Sequence, residues 1–210
     1  MKISILTLFP KMFDGPFSES IIKRAKEKNL VEIEVCDLRK WGITERRTVD
    51  DRPYGGGPGM LLRIDVIDSA LKDIKAKDSK VVLLDATGEK FNQAKAQEFS
   101  KIDHLILIAG HYEGVDHRVH EHLADEVISI GDYVLTGGEI PTMVITDSVT
   151  RLLPGVLGKE ESIIDESHSK EGYLEYAQYT RPEDYKGWKV PKILLGGNHG
   201  EIKKWREGKK

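Results

Sequence analysis

The sequence predicts an α/β fold in which a parallel sheet carries helices on both faces, followed by a small, mainly helical C-terminal part. Three observations predict it. The apolar run Val81-Val82-Leu83-Leu84 stops at Asp85-Ala86-Thr87-Gly88, and Leu105-Ile106-Leu107-Ile108-Ala109 stops at Gly110-His111-Tyr112-Glu113-Gly114; each run is strand-length and apolar throughout, as strands buried on both faces are. Between them, residues 92–99 read as a helix, giving a β-α-β unit whose right-handed crossover makes the two strands parallel. A third strand pattern, residues 126–130, runs into Gly131-Asp132-Tyr133-Val134-Leu135-Thr136-Gly137-Gly138-Glu139-Ile140-Pro141, backbone suited to close approach to a ligand at the carboxyl end of a parallel sheet.

The other elements follow in order. Residues 2–9 form a strand pattern ended by Pro10, and no G-x-G-x-x-G follows, which disfavours a Rossmann dinucleotide site. Residues 18–29 read as a helix with Ile21, Ile22 and Ala25 on one face, and residues 31–37 as a strand holding Cys36. Residues 38–63 are a long loop with cationic donors Arg46, Arg47 and Arg52 and the cluster Gly55-Gly56-Gly57-Pro58-Gly59. No Gly-Lys-Ser/Thr follows that cluster, which argues against a phosphate loop. Asp65 is placed to cap a helix running to about Ala76, with Val66, Ile67, Ala70, Leu71 and Ile74 inward. Residues 115–123 carry His117, His120 and His122 interleaved with Asp116, Arg118 and Glu121, a solvated helix face in preference to a metal site, and no metal ligands are assigned. Residues 140–153 form a helix ended by Pro154-Gly155.

Composition sets the domain plan. Residues 1–158 make the core-bearing domain. Residues 159–172 read as a flexible linker inside an acidic stretch, residues 159–184, with eight acids against three bases; residues 186–210 reverse this, with eight bases against two acids and Trp188 and Trp205 among them. That tail suits RNA contact. The net charge of −3 does not itself advertise nucleic-acid binding, so any phosphate contact must come from such local patches. No run of eighteen apolar residues exists and no signal peptide is apparent, so a cytoplasmic protein without membrane contact is expected. Cys36, the sole cysteine, excludes intrachain disulfides.

Asp50-Asp51-Arg52-Pro53-Tyr54-Gly55-Gly56-Gly57-Pro58-Gly59-Met60, Gly110-His111-Tyr112-Glu113-Gly114, the run from Ser129 to Pro141, Asp147-Ser148-Val149-Thr150-Arg151-Leu152-Leu153-Pro154-Gly155 and Tyr179-Thr180-Arg181-Pro182 occur in this order. Together they make the chain resemble the bacterial tRNA (guanine-N1)-methyltransferases, the TrmD type of the SPOUT class. The resemblance implies a deep trefoil knot where the residues after Gly131 pass the Gly110 loop, and S-adenosylmethionine as methyl donor. It also implies tRNA as substrate, methylated at N1 of the guanosine immediately 3′ of the anticodon, and a homodimer with active sites at the subunit interface. The cofactor-binding residues it implies are Leu84, Gly110, Tyr112, Glu113, Ile130, Gly131, Asp132, Tyr133, Val134, Leu135, Gly137, Gly138 and Pro141. Members of the family commonly continue for several helices past the point where residues 173–210 end.

Guanine N1 is protonated at neutral pH, so its methylation needs a general base and a cation near O6. Arg151, near the end of the helix after the glycine loop and expected beside the pocket, supplies the cation; an ordinary last-turn Arg is the alternative. The family's base is an aspartate followed by serine, and ungapped registration from Arg151 lands on Glu166-Ser167, so the base is Glu166 or, with a shifted loop, Asp165. His111 stands where the family commonly has Arg. A non-catalytic RNA-binding or S-adenosylmethionine-binding protein of the class, or one with another RNA target, stays open, and a Mg2+ requirement is not legible.

Overall fold

The computed structural model describes residues 1–158, 166–170 and 172–208. The chain divides into two compact units, Met1–Gly158 and Lys159–Lys210.

The first unit is built on strand β1 (Lys2–Thr7), the short helices α1 (Asp14–Phe17) and α2 (Ser20–Glu27), and β2 (Glu32–Asp37). The two-residue strands β3 (Asp50–Asp51) and β4 (Leu61–Leu62) come next, then α3 (Ile64–Ile74), β5 (Ser79–Lys90), α4 (Gln93–Phe99), β6 (His104–Ala109), α5 (Arg118–His122), β7 (Glu126–Ser129) and α6 (Glu139–Thr150). Five strands form one sheet in the order β2-β1-β6-β5-β7, with every pairing parallel. The α/β reading with a parallel sheet is therefore what the chain adopts.

Side-chain alternation explains the layers. Ile3 and Ile5 of β1, Val82 and Leu84 of β5 and Leu105 and Leu107 of β6 point to one face, where they meet Ile22 and Ala25 of α2, Phe99 of α4 and Ile145 and Val149 of α6. Leu6, Val81, Leu83, Ile106 and Ile108 take the other face, against Val66, Ile67, Ala70 and Leu71 of α3 and Val119 of α5. These side chains are removed from water, and each Val, Leu, Ile or Phe among them contributes about 1.5–3 kcal/mol of transfer free energy. One polar link crosses the strand ends: His104 lies 2.9 Å from Ser4 Oγ and 2.7 Å from Ser79 Oγ.

Four expectations are corrected. Asp65 does not cap α3: the cap position is Arg63, whose guanidinium takes both Asp65 oxygens at 3.0 and 2.7 Å. The strand expected to end at Leu84 continues to Lys90, but Leu84 and Glu89 both face Ile128, so residues 85–88 stand out of the ladder as a bulge. The helix expected from Val115 begins only at Arg118, because Val115 is held in a parallel bridge to Leu62. The helix expected over residues 140–153 begins at Glu139 and ends at Thr150, where Leu152 and Leu153 tighten onto Val149 and Thr150. In the second unit a hairpin of β8 (Asp184–Tyr185) and β9 (Trp188–Lys189) accompanies α7 (Lys192–Leu195) and α8 (His199–Gly208).

Candidate active site

A pocket of about 200 Å3 opens at the bulge of β5 and the carboxyl ends of β6 and β7. Its walls are Leu84, Asp85 and Ala86 at the bulge of β5, residues 110–115 after β6, residues 128–131 and 133–138 at and after the end of β7, and Pro141 of α6. Twelve of the thirteen residues expected at a cofactor are thus brought together by three loops far apart in sequence: Leu84, Gly110, Tyr112, Glu113, Ile130, Gly131, Tyr133, Val134, Leu135, Gly137, Gly138 and Pro141. Asp132 is not in the wall; its carboxylate pairs with Lys90 on the surface.

The floor is a contact of main chain with main chain. Gly138 N donates to Gly110 O at 2.6 Å, and a Cβ on Gly138 would lie 2.6 Å from Gly110 N and 2.8 Å from Ala109 Cα. Neither partner can swing aside, so glycine is required here by space. Gly138 has φ −81°, which any residue can adopt. Tyr112, by contrast, sits at φ +62°, a left-handed conformation that costs a non-glycine residue on the order of 1 kcal/mol and is tolerated when the surroundings hold it.

The long loop after β2 is stitched to this site. Leu62 N donates to Gly114 O and Asp116 N to Leu62 O, both at 3.0 Å, while Glu113 N donates to Met60 O at 3.1 Å. Gly59, at φ +74°, packs so closely on Glu113 that a Cβ would lie 2.2 Å from its Cγ. The glycine cluster of the loop therefore ends against the pocket wall.

The wall holds the carboxylates Asp85 and Glu113 and no Lys or Arg, a setting that favours a cationic ligand. Burial opposes ionisation of Asp85, yet the Thr87 N–H at 2.9 Å, the Thr87 hydroxyl at 2.8 Å and His120 Nε2 at 3.2 Å outweigh it and hold the carboxyl below its usual range. His117 stacks on His120 at 4.9 Å. Among the described residues no three His, Cys, Asp or Glu side chains converge as a metal site.

Sequence reasoning passed over Glu139, Thr7 and Phe9. Glu139 is 1% exposed, accepts from Thr7 Oγ1 at 3.0 Å and lies 3.4 Å from His111 Nδ1. Phe9 packs on His111 with the rings tilted at 55° and their centroids 4.6 Å apart, and Tyr112 meets His111 edge-on at 5.1 Å. The one available signal was an acid placed directly after Gly137-Gly138 at the head of a helix.

Arg151 is the C-cap of α6, whereas Gly138 and Pro141 of the pocket are at the head of that helix. At 1.5 Å per residue the helix separates Arg151 from Pro141 by about 15 Å, and Arg151 does not line the pocket of its own chain. Glu166 belongs to the second unit, where its carbonyl accepts from Ser169 N at 3.0 Å. Asp165 lies outside the described residues.

With this geometry in view, the comparisons with known proteins are specific. A protein of Dictyoglomus turgidum named tRNA (guanine-N(1)-)-methyltransferase is 56% identical over 206 residues, 98% of this chain and 83% of the relative. Proteins of the same name from Geobacillus kaustophilus and Bacillus subtilis are 54% and 52% identical over 209 residues, covering 99% and 98% of this chain and 85% and 86% of theirs. Residues 1–210 match the family described as tRNA (Guanine-1)-methyltransferase TrmD, and the chain belongs to that family.

Proposed function

We propose that this chain is a tRNA methyltransferase that transfers a methyl group from S-adenosylmethionine to N1 of the guanosine immediately 3′ of the anticodon. The observation that carries the reading is the three-loop pocket with its glycine floor, in a chain more than half identical to proteins named for this activity. The pocket suits the donor: its floor is closed to side chains at Gly138, and the carboxylates of its wall complement a sulfonium. When bound, S-adenosylmethionine supplies an electrophilic methyl on positively charged sulfur. Leu84, Gly110, Tyr112, Glu113, residues 130–131 and 133–138 and Pro141 would hold it, mainly through main chain; passage of residues 132–139 past the Gly110 loop as a trefoil knot is the arrangement we assign to the family resemblance.

The remaining chemistry belongs to side chains. Glu166, or Asp165 if the loop is shifted by one, accepts the N1 proton, and Arg151 faces the charge that develops on O6. Because α6 sets Arg151 about 15 Å from the pocket wall of its own chain, the reading requires a homodimer in which each site combines one subunit's cofactor loops with the partner's Arg151 and linker. The C-terminal unit contacts tRNA: Trp188 is 74% exposed on a hairpin bearing Lys186 and Lys189, and Lys203, Lys204 and Arg206 line α8. Among the described residues no helix is long and apolar enough to cross a membrane, and the cytoplasm, where tRNA is processed, is the proposed location.

The test is transfer of labelled methyl from S-adenosylmethionine to bulk bacterial tRNA, followed by nucleoside analysis. Label in 1-methylguanosine is expected. Label in another nucleoside would overturn the target, and no label at all would overturn the enzyme reading.

A further inference from the structure

Outside the groups assigned above, the most heavily constrained side chain near the pocket is Glu139. It is 1% exposed, and a carboxylate withdrawn from water to this degree is retained only where partners compensate its lost hydration. Its partners come from three places. Thr7, the last residue of β1, donates its hydroxyl to Oε1 at 3.0 Å; His111, in the loop after β6, sets Nδ1 3.4 Å from Oε2; and α6 carries Glu139 itself in its first turn, where the positive end of the helix dipole favours a carboxylate. Thr7 is fixed in turn by Phe9 N, which donates to its oxygen at 3.0 Å, and the Phe9 ring packs at a tilt on His111. The carboxylate therefore closes a ring of contacts through β1, the Gly110 loop and α6.

Gly137 lies directly over this ring. A Cβ there would fall 2.4 Å from Glu139 Oε2 and 2.6 Å from His111 Nδ1, so the loop main chain rests on the carboxylate and imidazole together. Next to it is the Gly138 N to Gly110 O bond, and next to His111 is Tyr112 in its left-handed conformation. A loop holding a disfavoured residue needs an external restraint, and the Glu139–His111 contact is placed to provide one.

We infer that Glu139 is a positioning residue: acting through His111, its carboxylate holds the Gly110 loop against residues 136–138 at the spacing the cofactor pocket requires. It does not line the pocket itself; it sets the spacing of the two loops that do. The inference rests on the cofactor reading of the pocket.

A double-mutant cycle on Glu139→Gln and His111→Asn, read by calorimetry with S-adenosylmethionine, tests it together with hydrogen exchange at the Gly138 amide. Glu139→Gln keeps the volume and an acceptor for Thr7, so its melting temperature should stay close to that of the unsubstituted protein, whereas Glu139→Ala should melt lower. Each single substitution should weaken binding about tenfold, and the double should be no worse than the poorer single, because contacting residues couple non-additively. Exchange at Gly138 should quicken in both singles without any ligand. Additive losses in the cycle would overturn the inference. So would Glu139→Gln restoring affinity as fully as stability, which is the signature of a purely structural carboxylate. If the unsubstituted protein takes up no S-adenosylmethionine, the cofactor reading fails, and unchanged exchange at Gly138 in Glu139→Ala would then defeat the restraint itself.

Discussion

Replacing Gly138 by alanine isolates the main-chain contact on which the pocket floor depends. The added Cβ meets Gly110 N at 2.6 Å, Ala109 Cα at 2.8 Å and Ala109 C at 3.0 Å, all backbone atoms at the end of a fully buried strand. Since φ −81° suits alanine, the whole cost is steric. Overpacking against unyielding neighbours costs about 1–3 kcal/mol. Losing the Gly138 N to Gly110 O bond adds about 1 kcal/mol. The sum, roughly 2–4 kcal/mol, corresponds to a fall of about 5–15 °C in melting temperature for a unit of this size. If the loop relieves the strain by moving outward, affinity for S-adenosylmethionine falls instead, by about tenfold or more. The assay pairs a thermal melt with calorimetry, and Gly15→Ala is the control: a Cβ there meets nothing within 4 Å, and alanine suits the short helix that holds it. Gly138→Ala with both the melting temperature and the affinity of the unsubstituted protein would refute the reasoning, since it would mean that β6 and the loop separate without cost.

Three further predictions can be measured directly. Glu166→Gln should slow single-turnover methyl transfer by about 10²–10⁴-fold while leaving S-adenosylmethionine binding intact; if Asp165→Asn is the crippled variant, the base is one residue earlier, and full rates in both would remove both acids from the role. Arg151→Ala and Gly138→Val subunits, each inactive alone, should recover activity when mixed, because the mixed dimer retains one site with both parts intact; absence of recovery would argue for sites within single subunits. His104 is held below the ordinary histidine range chiefly by burial and then by the charge of Lys2, so the unfolded chain takes up a proton near pH 6.5 that the folded chain refuses. Its contribution is complete above about pH 6.5 and is lost as the pH falls toward the folded value; the melting temperature should drop over that range, and His104→Gln should flatten the drop.

What the sequence made legible is what depends on neighbours along the chain. The alternation in Lys2-Ile3-Ser4-Ile5 and the unbroken apolar run of residues 105–109 announce strands because side-chain period and burial are local properties, and the helix read over residues 92–99 forms over Gln93–Phe99 with Asn92 as its cap, accepting from Lys95 N at 2.9 Å. The pocket was legible for the same reason, since each wall is a short motif directly after a strand. The departures at element ends come from partners that a periodicity reading does not weigh. Asp65 is not the cap because α3 starts one residue before it, with Arg63 at the cap position and bonded to its carboxylate, and the start of α5 was displaced because Val115 bridges to Leu62. The place of Arg151 relative to the glycine loop depends on helix length, since a helix converts each residue of separation into 1.5 Å of distance and sets Arg151 at the far end of α6 from Gly138. Glu139 was the hardest to see, because its partners Thr7 and His111 are 132 and 28 positions away, and no local pattern distinguishes a first-turn glutamate that faces water from one buried at the junction of β1, the Gly110 loop and α6. A buried charge is specified by the whole topology; the order β2-β1-β6-β5-β7 puts the ends of β1 and β6 side by side, and only that adjacency gives the carboxylate its two partners.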